Sequence, residues 1–192
     1  FIEKLNQNRN VRGIVLQLPL PRRVDERFAT AAIDPKKDVD ALRGGTNLLP
    51  PAAGAVEAIL KTFEYKLLGK RAVVVGRGAL VGEPVAAWLK PRVARLDQFH
   101  TSFFDWKRLR EADLVVSGAG KPGLIRGRHV KRGVFLIDFG YGLKRGKVAG
   151  DFDFKTCAPK ARAITPTPGG TGPILVAELF RNFFGLTPQR KR

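Results

Sequence analysis

Val73-Val74-Val75-Gly76-Arg77-Gly78-Ala79-Leu80-Val81-Gly82-Glu83-Pro84 reads as an apolar strand, a glycine turn and the start of a helix. Glycine lets the backbone bend sharply there and lets a ligand approach it, because a side chain would collide with both. The N–H groups at a helix start, with the helix dipole, favour a phosphate at that point. The dinucleotide fingerprint is GxGxxG, and here the third glycine comes one residue later, as GxGxxxG. By itself the stretch suits a tight strand-to-helix turn as well as a phosphate cradle.

The segments that follow favour the cradle. The patterning predicts strands over 71–75, 93–99, 113–117 and 134–138, with helices over 80–89 and 105–112, the latter capped by Asp105. Strands separated by helical stretches predict an α/β fold, a Rossmann-like parallel sheet with right-handed crossovers. Ligands of such sheets sit beyond the carboxyl ends of the strands. Those ends carry Gly76-Arg77-Gly78, His100-Thr101-Ser102, Gly118-Ala119-Gly120-Lys121-Pro122 and Asp138-Phe139-Gly140-Tyr141-Gly142. The second strand bears on the cofactor. An NAD site usually ends this strand in an acid, whereas here it ends in a histidine and hydroxyls, with Asp97 too early to be at the tip. Hydroxyls plus Arg77 suit a 2′-phosphate, which points to NADP, with NAD possible. Gly76, Arg77, Gly78, Gly82, His100, Thr101 and Gly120 are therefore the expected cofactor contacts.

Upstream, an amphipathic helix spans 52–63 after the linker residues Gly44-Gly45 and Pro50-Pro51. Before that, Gly13-Ile14-Val15-Leu16-Gln17-Leu18 reads as a buried strand, stopped at Pro19 because proline cannot supply a ladder N–H. Asp25 caps a helix over 26–33, and Lys37-Asp38-Val39-Asp40 is a polar loop with two carboxylates two residues apart. At the other end, Ile164-Thr165-Pro166-Thr167-Pro168-Gly169-Gly170-Thr171-Gly172-Pro173 precedes a helix over 174–184. That density of proline and glycine exceeds what a structural turn needs and suggests contact with a ligand.

Composition sets the limits. The chain has 192 residues, 44% hydrophobic, and no apolar run near the roughly 20 residues a membrane helix requires. A single cysteine, Cys157, excludes an internal disulfide framework and points to a reducing compartment, the cytoplasm. With His100 and His129 the only histidines, no metal site is expected. The formal charge of +18 is dispersed, apart from Gln189-Arg190-Lys191-Arg192, so it favours anionic ligands in general and nucleic acid is not an expected partner. There is no methionine, and Phe1, Ile2 and Leu5 look like the apolar face of a helix already under way, so the true start is expected to lie upstream.

Taken together, these motifs resemble the bifunctional methylenetetrahydrofolate dehydrogenase/cyclohydrolase family. The pieces that carry the resemblance are Gln17-Leu18-Pro19-Leu20-Pro21, Lys37-Asp38-Val39-Asp40, Gly76-Arg77-Gly78 with Val81-Gly82-Glu83-Pro84, and Pro168-Gly169-Gly170-Thr171-Gly172-Pro173. The resemblance implies an NADP-dependent oxidation of 5,10-methylenetetrahydrofolate to the methenyl form, followed by hydrolysis to 10-formyltetrahydrofolate, in one-carbon metabolism. It implies the C-terminal part of a smaller α/β catalytic (folate) domain over 1–50, the NAD(P)-binding domain over 51–165, and a folate-side loop and returning helix over 166–192. Gln17 matches the glutamine that pairs with the catalytic lysine, Asp40 the aspartate on the pterin edge, and Pro168, Gly169 and Gly170 the loop against the folate. Partners implied are tetrahydrofolate derivatives and a second copy in a homodimer.

The chain departs from the family pattern at several places. It has no Tyr-x-x-x-Lys motif, the source of the catalytic lysine, so little dehydrogenase turnover is expected of these 192 residues alone. The family glycine after Lys-Asp-Val-Asp is Ala41, the serine of the Gly-Arg-Ser turn is Gly78, and Gly-Ile-Asn is Gly140-Tyr141-Gly142. The alternative is a catalytically degenerate nucleotide- or nucleic-acid-binding module on the same fold.

Overall fold

The computed structural model describes residues 1–44, 46–100 and 102–186; Thr101 and the basic cluster 189–192 lie outside the described residues. Five parallel strands form the central sheet in the order β2-β1-β3-β4-β7: β1 (Arg71–Val75), β2 (Arg95–Phe99), β3 (Leu114–Ser117), β4 (Val134–Asp138) and β7 (Ala161–Ile164). The predicted parallel α/β sheet is thus present.

Side chains along each central strand alternate between two cores, as the two-residue period of a strand requires. Val74, Val116 and Ile137 face α3 (Pro51–Thr62), α4 (Gly82–Leu89) and the start of α7 (Thr171–Leu186). Val73, Val75, Val115 and Leu136 face Leu109 of α5 (Trp106–Glu111) and Ile125 and Val130, which flank the 3-10 turn Gly127–His129, on the other side. The middle strands are therefore apolar without a break, the pattern of a sheet covered on both faces.

Helix ends follow the expected chemistry. Asp25 caps α2 (Glu26–Ala31), and Asp105 caps α5 by accepting from the N–H groups of Lys107 and Arg108. Five elements escaped sequence reading: β7, the hairpin of β5 (Gly142–Lys144) and β6 (Lys147–Ala149), α6 (Phe154–Cys157) and the 3-10 turn Gly127–His129.

The expected strand over 13–18 is corrected. Only Ile14 pairs, through a single parallel bridge to Asp38, and Val15 is 55% exposed. Among the described residues this segment has one backbone neighbour, the Lys37–Val39 stretch, and a ladder on one side holds it only where Ile14 meets it. The N-terminal residues instead lean on α7. Asn182 donates to the carbonyls of Val39 and Leu49, at 3.0 and 2.9 Å, and Phe183 packs against Gly13.

Candidate functional site

The glycine turn is built by close backbone packing. Gly76 has φ 114°, and a Cβ on it would lie 2.8 Å from the Gly118 carbonyl oxygen. A Cβ on Gly82 would lie 2.3 Å from the Gly76 oxygen, so this glycine brings the start of α4 against the turn. Gly118 in turn leaves room for Val81. The loops leaving β1 and β3 thus touch, and Gly120 (φ 64°) follows within two residues. Gly78 is different: it is exposed, and a Cβ there would meet nothing within 4 Å.

Beyond the end of β2, Gly76 N–H donates to the Phe99 carbonyl at 2.9 Å, which places His100 next to the glycine turn. His100 Nδ1 lies 2.8 Å from Ser102 Oγ, and both side chains are exposed. Asp97 sits in register with Val73, inside the sheet, and pairs with Arg95 (2.7 Å) and Arg108. The described residues at the tip of β2 itself, Phe99, His100 and Ser102, include no acid, though Glu83 at the start of α4 accepts from Gln98 at 3.4 Å; Arg77 is exposed. A bare glycine turn, a helix start and basic and hydroxyl groups at the β2 tip fit a nucleotide carrying an extra phosphate.

Asp40 meets the segment that follows this turn. A cleft of about 600 Å³ is lined by Asp40, Ala41, Leu80, Glu83, Pro84 and Leu175, among others. Burial, and then the charge of Asp38, push the Asp40 carboxyl up to about 6. Asp38 itself is fully buried: one oxygen accepts from Arg43 N–H at 2.8 Å and the other has no partner. Ala41 holds φ 53° beside them, a left-handed conformation that a glycine adopts without cost.

The proline-glycine loop closes the same region. Pro168, Gly169 and Gly170 line a cavity of about 280 Å³ with Tyr141, and Leu175 is common to this cavity and the cleft. Both ends of the loop are tied to one residue: Thr165 Oγ accepts from Asp138 N–H at 2.8 Å, and Thr171 Oγ donates to the Asp138 carbonyl at 2.7 Å. Gly169 has φ 93°, and a Cβ on Gly170 would meet the Pro166 oxygen at 2.3 Å.

The structure brings Asp40 together with the helix start that follows the glycine turn, and sets the Pro168–Gly170 loop beside them. Gln17 stands apart: it is exposed, its amide donates to the Leu18 carbonyl at 2.9 Å, and it does not line the cleft. Thr101 lies outside the described residues. Sequence reading missed Leu80 and Leu175, the apolar walls, because nothing local distinguishes a cleft leucine from a core one.

Residues 50–191 match the tetrahydrofolate dehydrogenase/cyclohydrolase NAD(P)-binding domain, and residues 1–40 match the catalytic domain of the same family. The chain belongs to the tetrahydrofolate dehydrogenase/cyclohydrolase family. It is 38% identical to the bifunctional protein FolD of Lactobacillus gasseri over 196 residues, 97% of this chain and 70% of that protein. It is 41% identical to that of Roseiflexus over 201 residues, 98% of this chain and 69% of the relative. Among solved structures, the bifunctional FolD enzyme of Campylobacter jejuni superposes with a TM-score of 0.90 at 35% identity, covering 96% of this chain and 70% of that one. The Trypanosoma brucei enzyme, complexed with NADP cofactor and inhibitor, gives 0.89 at 34% identity, covering 96% and 69%.

Proposed function

We propose that this cleft binds NADP and a tetrahydrofolate derivative side by side, for the oxidation of 5,10-methylenetetrahydrofolate to the methenyl form and its hydrolysis to 10-formyltetrahydrofolate. The observation that carries the reading is the meeting of Asp40 with the segment Ala79–Pro84 across one cleft. Membership of the family, and the NADP complex of the Trypanosoma brucei enzyme, support it.

The residues at the cleft and the glycine turn take roles that suit their places; Gln17 takes its role from the family resemblance and Thr101 from the sequence. The N–H groups around Gly76–Gly78 and the start of α4 would hold the pyrophosphate, with Arg77 and His100 toward the 2′-phosphate; Thr101 is the hydroxyl that the sequence offers for the same phosphate. Gly82 sets the helix against that turn, and Gly120 lets the β3 exit approach the cofactor. When bound, NADP supplies a two-electron hydride acceptor. Ionised Asp40 accepts two hydrogen bonds from the aminopyrimidine edge of the pterin and so fixes the face it presents. Leu80, Pro84 and Leu175 keep water from that face. Pro168, Gly169 and Gly170 cover the folate without side chains that would collide with it. Gln17 is suited to orienting the amine of a lysine from the Tyr-x-x-x-Lys motif, which these 192 residues do not contain.

The division into a folate part over 1–50, a nucleotide domain over 51–165 and a returning segment over 166–192 accords with Asn182 bonding back to Val39 and Leu49. A homodimer accords with the exposed β7 edge, where Phe63 is half exposed beside Ala163 and Ile164. Among the described residues no helix is long and apolar enough to cross a membrane. The free, buried Cys157 accords with the cytoplasm.

The test is twofold. The chain should bind NADP⁺ and folate, with Asp40→Asn weakening folate at least tenfold and leaving NADP⁺ within twofold. It should form little or no NADPH from methylenetetrahydrofolate, for want of the lysine. Equal folate binding by Asp40→Asn would overturn the role given to Asp40, and robust turnover would overturn the role given to the lysine.

A further inference from the structure

Two buried carboxylates have no part in the chemistry above. Asp138 ends β4 and is 2% exposed; Asp151 follows β6 and is fully buried. Carboxylates in such surroundings are costly unless hydrogen-bonded, and both are bonded to the loops that leave the carboxyl ends of β3 and β4. Asp151 accepts from Ser117 Oγ (2.7 Å) and Ala119 N–H (2.6 Å) on one oxygen, and from Lys121 N–H (2.6 Å) on the other. Asp138 accepts from the N–H groups of Gly140 (2.8 Å), Asp151 (3.1 Å) and Phe152 (3.1 Å).

The three donors to Asp151 bracket Gly120, so one carboxylate sets the path of the loop leaving β3. The backbone packs closely around both carboxylates. A Cβ on Gly140 would lie 2.2 Å from Asp151 Cγ, and one on Gly150 2.1 Å from Asp138 Oδ2. The main chain of Asp138 also holds Thr165 and Thr171 at the two ends of the Pro168–Gly170 loop. Burial pushes the Asp138 carboxyl up to about 6, with the neighbouring Asp151 adding to the rise and its three N–H donors opposing it.

We infer that Asp151 is a positioning residue for the nucleotide: it holds Ala119-Gly120-Lys121 in the one shape that faces the cofactor, and Asp138 anchors Asp151 and the folate-side loop to the same point. This rests on the reading of the Gly120 loop as a cofactor contact. Asp151 touches no reacting atom and acts through the loop it holds.

Asp151→Asn keeps the shape and turns one acceptor into a donor. Whichever way the amide is turned, its NH2 faces at least one N–H of the loop. Loss of a hydrogen bond to a charged group predicts a Kd for NADP⁺ about tenfold or more higher, with folate binding within twofold. In the ligand-free protein, the amides of Ala119 and Lys121 should exchange with solvent about tenfold faster while those of β1 and β4 do not change. Should Asp151→Asn not fold, Ser117→Ala removes only one of the three donors, and a two- to fivefold rise in Kd is expected. An unchanged Kd with a lowered melting temperature in either variant shows a merely structural role and overturns the inference. So does unchanged exchange at Ala119 and Lys121. Failure of the unsubstituted chain to bind NADP⁺ would count against the proposed function alone, because the exchange measurement needs no ligand.

Discussion

Gly78→Ser isolates the ligand-facing part of the glycine turn from the part that holds the fold. Gly76 and Gly82 are fixed by their surroundings: a Cβ on either would press into backbone at 2.8 or 2.3 Å. Gly78 is exposed, its φ is not in the left-handed region, and a Cβ there meets nothing within 4 Å. Serine therefore enters without strain, and by restricting the unfolded chain it should add up to ~1 kcal/mol of stability. For a chain of this size that is a rise in Tm of roughly 2–4 °C. A hydroxyl bonded to a phosphate contributes about 1.5–3 kcal/mol in full, and immobilising the side chain offsets part of it. The net expectation is NADP⁺ binding about tenfold tighter, or ~1.4 kcal/mol. Titration followed by calorimetry reads the affinity, and a thermal melt without ligand reads the stability. A folded Gly78→Ser protein that binds NADP⁺ no tighter than the parent would refute the placement of the phosphate at this turn. Gly82→Ala supplies the contrast: it should lose both stability and binding.

Other consequences concern the folate side and the core. Because the Asp40 carboxyl stands at about 6, it loses its charge as the pH falls through 6, and folate binding should weaken below that point and be flat above pH 7. Asp40→Asn should abolish the pH dependence, and its persistence would assign the titration elsewhere. The same shift acts on stability in the opposite sense: the folded carboxyl holds its proton more tightly than the unfolded one, so its contribution is lost as the pH rises through about 6. Ala41→Gly should be neutral or stabilising by up to ~1 kcal/mol in denaturant unfolding, against the usual loss for such a change, because φ 53° strains alanine. Asn182→Ala strands the buried carbonyl of Val39 and frees the half-buried one of Leu49 and should cost about 1–3 kcal/mol, loosening the N-terminal residues from α7. Cys157, whose thiol burial pushes up to about 11, should react with a disulfide reagent only as fast as the protein opens.

The strands at the heart of the sheet were legible because they are buried on both faces. Arg71–Val75 and Val134–Asp138 are unbroken apolar runs bounded by glycine or charge, and the structure reproduces both to the residue. The expected strand over 13–18 has the same apolar look, yet strand structure also needs a paired neighbour, which a linear pattern cannot supply. β7 was hidden for the converse reason: Ala161-Arg162-Ala163-Ile164 has little β character and is a strand because β4 lies beside it. The hairpin turns through Arg145-Gly146, with φ values of 52° and 74°, where asparagine or aspartate would have marked it. For the site, Asp40 and the glycine turn could be named separately from motif chemistry. That they share one cleft depends on the chain returning through α7. The Asp138–Asp151 pair left no signal, because their partners are mostly backbone N–H groups and any sequence provides those.

The most direct test of the nucleotide cleft is a titration of the unsubstituted chain with NADP⁺ and NAD⁺ at fixed ionic strength, repeated with Arg77→Ala. The account predicts NADP⁺ bound at least tenfold more tightly than NAD⁺, with that preference lost on removing the Arg77 guanidinium. Equal affinity for the two nucleotides, or no binding of either by a folded chain, would contradict it.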